Sequence, residues 1–167
     1  MIFQKARGQV SAIDALVGIT LFAGLFLVYL SAASKLQPTG GPSAGEAFIR
    51  AESIAFELTE SGGSPANWSS SNYAKIGLIG TQRLVLLESK MLQLANAPYA
   101  GAAESLGAGE YNLRVRLLNT TGSLYSSSGT ALQFGSDPAN ATGVIAPVRR
   151  IATFNGTTAM LEVTLWK

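Results

Sequence analysis

Ten Asp and Glu, twelve Lys and Arg, no His and no Cys set the chemistry open to this 167-residue chain. Without imidazole or thiolate it has no Cys or Ser–His nucleophile, no usual zinc ligand set, no disulfide and no histidine acid/base catalysis. Carboxylate pairs remain. Glu57 and Glu60 fall on one predicted helix, whereas hydrolysis by two acids needs them on facing elements about 5–10 Å apart. No catalytic, metal-binding or cofactor-binding residue is therefore assigned, and no enzyme activity or cofactor is expected.

Other residues are suited to recognition. Arg114 and Arg116 alternate along one predicted strand and Arg149-Arg150 lie on another. Together they form either a basic strip for an anionic sugar or partner, or a solvated strand face. Trp68, Tyr73, Tyr99 and Tyr125 provide flat rings for sugar stacking, or else core and loop anchors. Four of seven asparagines stand in N-x-S/T sequons (Asn67, Asn119, Asn140 and Asn155), more than chance provides. This is the pattern of an exported, N-glycosylated surface. Net charge is only +2, with several cations beside the apolar N-terminal stretch, so nucleic acid is not an expected partner.

Residues 10–33 carry a single charge, Asp14, and follow Lys5, Arg7 and Gly8-Gln9. At about 1.5 Å per residue this run predicts a helix of roughly 36 Å, enough to cross a bilayer. Lys5 and Arg7 precede it and only Lys35 follows closely, so the positive-inside rule predicts a cytoplasmic N-terminus and a C-terminal domain outside, at the cell surface. Two readings stand for Asp14: an acid buried in the span and paired with an N-terminal amine, or one near enough the end to reach head-group water. Gly18, Ala23 and Gly24 allow close helix packing or are ordinary span composition. A conventional secretory cut after Ala33 is a further possibility, although the apolar run is about twice the usual length.

Pro38-Thr39-Gly40-Gly41-Pro42 predicts a hinge over 37–42, and Ser43 and Glu46 a capping box. Apolar residues at three- and four-residue steps predict a helix over about 44–60, and Leu84, Leu87, Met91 and Leu94 a second over about 84–95. Residues 62–75 read as a loop with Trp68 and Tyr73 folded onto the domain, and 76–79 as a short strand. After a Gly/Ala-rich turn (100–109), residues 111–117 alternate as a half-buried strand, with 123–128 as its short antiparallel partner. A polar loop at 135–143 leads to a hairpin, 143–154 and 157–166, around Asn155-Gly156. There Leu161, Val163 and Leu165 should face the core, and Glu162 and Thr164 water.

The basic-Gly-Gln stretch KARGQ before a hydrophobic helix resembles archaeal type IV pilin-like proteins with a class III signal peptide. GSPANW (63–68), IGL (76–78), the ESK-MLQLA stretch (88–95) and VRRIATFNGTTAMLEVTLW (148–166) resemble archaeal membrane-anchored proteins of poorly known function. The pilin resemblance implies cleavage by a prepilin-type peptidase between Gly8 and Gln9, retention of the helix, and pairing of the new amine with an acid that sets subunit register. This chain has Ile13 at the family's acidic fifth position and its acid, Asp14, at the sixth.

The expected organisation is a leader (1–8), a transmembrane and assembly helix (9–36), a hinge (37–42) and an extracellular α+β domain (43–167). That domain would be a pilin-like head of two amphipathic helices on an antiparallel sheet. Function is expected as a structural subunit of a surface filament, a homo-oligomer through its N-terminal helix. The alternative is a single-pass, membrane-anchored module that binds a surface glycan, an S-layer protein or another protein and does not polymerise.

Overall fold

The structure is a computed structural model that describes residues 15–29, 31 and 44–167. The chain divides into two units, Met1–Gly41 and Pro42–Lys167.

In the first unit, helix α1 covers residues 15–29. Thr20 returns its hydroxyl to Leu16 O at 2.8 Å, and Phe22 stacks on Phe26 one turn later. The expected long N-terminal helix is not seen. At about 1.5 Å per residue, the described part of α1 is roughly 22 Å long, against the roughly 30 Å hydrocarbon layer. Among the described residues no helix is long and apolar enough to cross a membrane. Apart from Ser31, the rest of the expected 9–36 span lies outside the described residues. The hinge at 37–42, and Ser43 of the capping box, lie outside the described residues.

The second unit begins with α2, Ala44–Glu60, whose Ala47, Ala51, Ile54, Ala55 and Leu58 are buried. Their spacing gives one apolar stripe, and it lies across strands β6 (Ile145–Phe154) and β7 (Thr157–Trp166). These two strands are the predicted hairpin. Asn155 and Gly156 turn the chain with φ of 48° and 75°, the positive values a two-residue turn of this kind requires. Phe154 pairs with Thr157 and Ile145 with Trp166, so the pairing runs the full length of both strands. On the far side of β7 lies β2, Asn112–Asn119, with Leu113, Val115 and Leu117 fully buried on the α2 side.

The sheet order is β1-β6-β7-β2-β5, and it is mixed, not antiparallel: β1, Val85–Leu86, runs parallel to β6. Leu84, at φ 61°, diverts the chain, and its carbonyl accepts from Thr153 N at 2.7 Å. Residues 84–87 are thus drawn to the sheet edge, and helix α3 starts late, over Glu88–Ala95. A third helix in this unit, α4, Tyr99–Ser105, stands where a turn was expected. Pro98 precedes it, and Ala100, Ala102 and Ala103 favour helix strongly. The head therefore carries three helices and not two. Residues 76–79 form only an isolated bridge, Ile79 to Leu86. Residues 123–125 return antiparallel to β2 as expected, Leu118 bridging to Leu124 and Tyr125 N donating to Leu117 O at 2.9 Å. Ser126–Ser127 (β3) pairs with Thr130–Ala131 (β4), and the second neighbour of β2 in the sheet is β5, Gln133–Gly135. Gly135 is required there: at φ 86°, an added Cβ would lie 2.0 Å from Leu113 O.

Trp68 does fold onto the domain, 3% exposed, with Nε1 donating to Gly77 O at 2.8 Å and Tyr73 edge-on beside it.

Candidate functional site

Gly8, Gln9 and Asp14, the expected cleavage and amine-pairing residues, lie outside the described residues. The four sequon asparagines sit in separate places. Asn67 is exposed in the loop after α2, and Asn140 is in the one-turn 3-10 helix Pro138–Asn140. Asn119 ends β2, where its Oδ1 accepts from Thr121 N, the Thr121 hydroxyl and Ser123 N. Asn155, in the hairpin turn, donates Nδ2 to Glu88 Oε2 at 2.9 Å. Glu88 also accepts from the Ser127 hydroxyl. These two hydrogen bonds, Ser127 first, hold its carboxyl below the ordinary range.

The densest set of charges is on the sheet face opposite α2. The register places Arg116 of β2 and Arg149 of β6 directly across from Glu162 of β7. All three side chains share a face because residues paired directly across neighbouring strands project to the same side of the sheet. Arg116 Nε is 3.0 Å from Glu162 Oε1, and Arg149 Nε is 2.8 Å from Oε2. Arg114 stands 4.0 Å from Oε1 and reaches Asp137 at 3.1 Å. Burial by itself pushes the Glu162 carboxyl up. The hydrogen bonds from Arg116 and Arg149, with their charges, outweigh that and hold it below the ordinary carboxylate range.

Glu162 and Thr164, expected to face water, are 3% and 2% exposed. The long guanidinium side chains lie over the centre of the sheet and replace solvent there. A carboxylate with both oxygens taken by cations is not a free base; this cluster orders a surface and leaves Arg149 outward, its side chain 61% exposed. Arg150 belongs to the other side, 3.6 Å from Glu60 with its guanidinium over the Phe56 ring. The four-arginine strip therefore divides three to one. Sequence reasoning missed Glu162, although a lone acid in an apolar closing strand, in register with arginines on both neighbours, was the available signal.

A second feature is a cleft of about 570 Å³ between α4 and the start of β2, lined by Arg50, Tyr99, Glu104, Tyr111 and Asn112 among others. The Arg50 guanidinium sits 5.8 Å from the Tyr111 ring centre, and the buried Tyr111 hydroxyl has no hydrogen-bond partner among the described residues. Burial raises the Tyr111 hydroxyl pKa. The expected sugar-stacking rings do not converge. Trp68 is in the core, Tyr99 stacks on Phe134 and accepts from Leu113 N, and Tyr125 leans on Phe154. Glu57 pairs with Lys75, and Glu60 with Arg83 and Arg150, so neither faces a second acid across a gap. Among the described residues no group of three or more acids could hold a metal ion.

No curated protein and no solved structure matches the chain. A family model does, over residues 5–166, and its description is a family of unknown function. That match spans nearly the whole sequence, so the chain belongs to the family of unknown function DUF7287.

Proposed function

We propose that the chain is a pilin-like structural subunit of a cell-surface assembly, processed by a prepilin-type peptidase between Gly8 and Gln9 and joined to other copies through its apolar helix. One observation carries this reading. Every residue of α1 is exposed, and ten of them are large and apolar: Leu16, Val17, Ile19, Leu21, Phe22, Leu25, Phe26, Leu27, Val28 and Tyr29. A helix apolar all round belongs in lipid or inside a bundle of helices. Covering such side chains is worth about 1.5–3 kcal/mol each, so an assembled or lipid-bound state is strongly favoured over a free one. The globular unit would then stand at the cell surface. Glycans on Asn67, Asn119, Asn140 or Asn155 would limit which faces touch neighbours.

The test is the N-terminal residue of the mature protein together with electron microscopy of the purified material. A chain beginning at Gln9 that forms fibres is the expected result; one still beginning at Met1 defeats the processing step. A second reading, a surface-anchored binding module for a glycan, an S-layer protein or another protein, draws on the cleft with its Tyr111 hydroxyl, unpartnered among the described residues. It predicts a monomer or small oligomer in detergent and no fibres.

A further inference from the structure

The head has two exposed faces of opposite character on opposite sides of the sheet. On one side α2 turns its stripe inward and presents Phe48, Ile49 and Phe56 outward, 48%, 69% and 51% exposed. Among them stands Glu52, exposed and without an ion pair or hydrogen bond among the described residues, whereas Arg150, over the Phe56 ring on the same side, is paired with Glu60. On the other side, β6 presents Ile151, 71% exposed, beside Arg149. Three arginines there face two acids, Glu162 and Asp137, which leaves one positive charge over.

We infer that the α2 face of one copy docks on the sheet face of the next, with Glu52 meeting Arg149 and Phe56 and Ile49 covering Ile151. This rests on reading the chain as an assembling subunit. The charges decide the orientation. Two α2 faces together would bring Glu52 against Glu52, and two sheet faces Arg149 against Arg149; only the unlike pairing joins opposite charges. An exposed ion pair contributes little affinity, so the apolar side chains hold the contact and the charges select it. Because the two faces are different and lie on opposite sides of the head, each docking leaves one of each kind free. Such a head-to-tail contact propagates and does not close as a two-fold dimer.

The sequence has no Cys, so single introduced thiols report cleanly. Full-length chain carrying Ser53→Cys is mixed with full-length chain carrying Ile151→Cys and treated with a short bifunctional maleimide. The expected product is the mixed 53–151 dimer, with none from either variant alone and a ladder from a chain carrying both. Thr153→Cys, on the same face and leaving Ile151 intact, should replace Ile151→Cys without loss. Adding Glu52→Lys should lower the mixed product several-fold. A 53–53 or 151–151 product overturns the docking, as does an unchanged yield with Glu52→Lys. No product while fibres form overturns it too, and leaves the filament reading standing. Mixed dimers without fibres sustain the docking and sink the filament reading.

Discussion

Glu162 is the residue on which the open sheet face depends. Its two oxygens satisfy Arg116 and Arg149, and Arg114 stands 4.0 Å away. Removing its charge leaves partly buried guanidiniums without a counterion. Glu162→Gln should therefore cost about 2–4 kcal/mol, less than a fully buried pair because the Arg149 side chain is 61% exposed. Urea denaturation of the two proteins reads this directly, and a change below a few tenths would mean the arginines re-solvate freely. The same group gives a pH dependence. Its folded-state carboxyl is held below the ordinary value of 4.5, so the unfolded chain binds more protons as the medium turns acid. The associated stability is complete above the unfolded value and is lost as pH falls through 4.5 towards the folded value. Glu60, lowered first by its hydrogen bond from Arg83, and Glu88 add loss in the same direction. Melting temperature should be flat near neutrality and drop in acid, with a shallower drop for Glu162→Gln.

At the scale of elements, what could be read depended on how local the signal was. Asn155-Gly156 fixes its turn by backbone conformation alone, and the alternation of Leu161, Val163 and Leu165 needs only its own strand; both are legible. So is the α2 stripe, because residues 47 to 58 repeat at helical spacing and meet one surface. β1 was not legible. It is two residues long, and its pairing with β6 joins Val85 to Thr153, a partner 68 positions away that no local pattern names. The role of Glu162 was hidden for a related reason: alternation placed it opposite the core, but only the register with β2 and β6 brings arginines over it. Gly135 is a test of that register. Gly135→Ala would set a Cβ at φ 86° against Leu113 O, so β5 should detach from β2. The reading is amide exchange at Leu117, whose N–H bonds Leu132 O at 3.0 Å in the native fold. Protection there should fall while Val163, on the other side of β2, keeps its own.

For the whole molecule, the question is which unit drives association. α1 exposes ten large apolar side chains, whereas the proposed contact between heads joins Phe48, Ile49 and Phe56 to Ile151 and one ion pair. Stable interfaces take about 20–30 residues a side, so the head contact alone is weak. Tethering changes that. Once helices gather several chains, each head meets its neighbour at an effective concentration on the order of millimolar, and a weak, orientation-selective contact becomes populated. On the proposed reading, the helix supplies the association and the heads its direction. A chain beginning at Pro42, the first residue of the second unit, should accordingly be monomeric by sedimentation at micromolar concentration, while the full chain associates or requires detergent. The truncated chain should also fail to give the 53–151 cross-link at that concentration and regain it when fused to an unrelated oligomerising helix. If the isolated head instead forms the same oligomers as the full chain, association resides in the head, and the apolar helix loses its place as the assembly element.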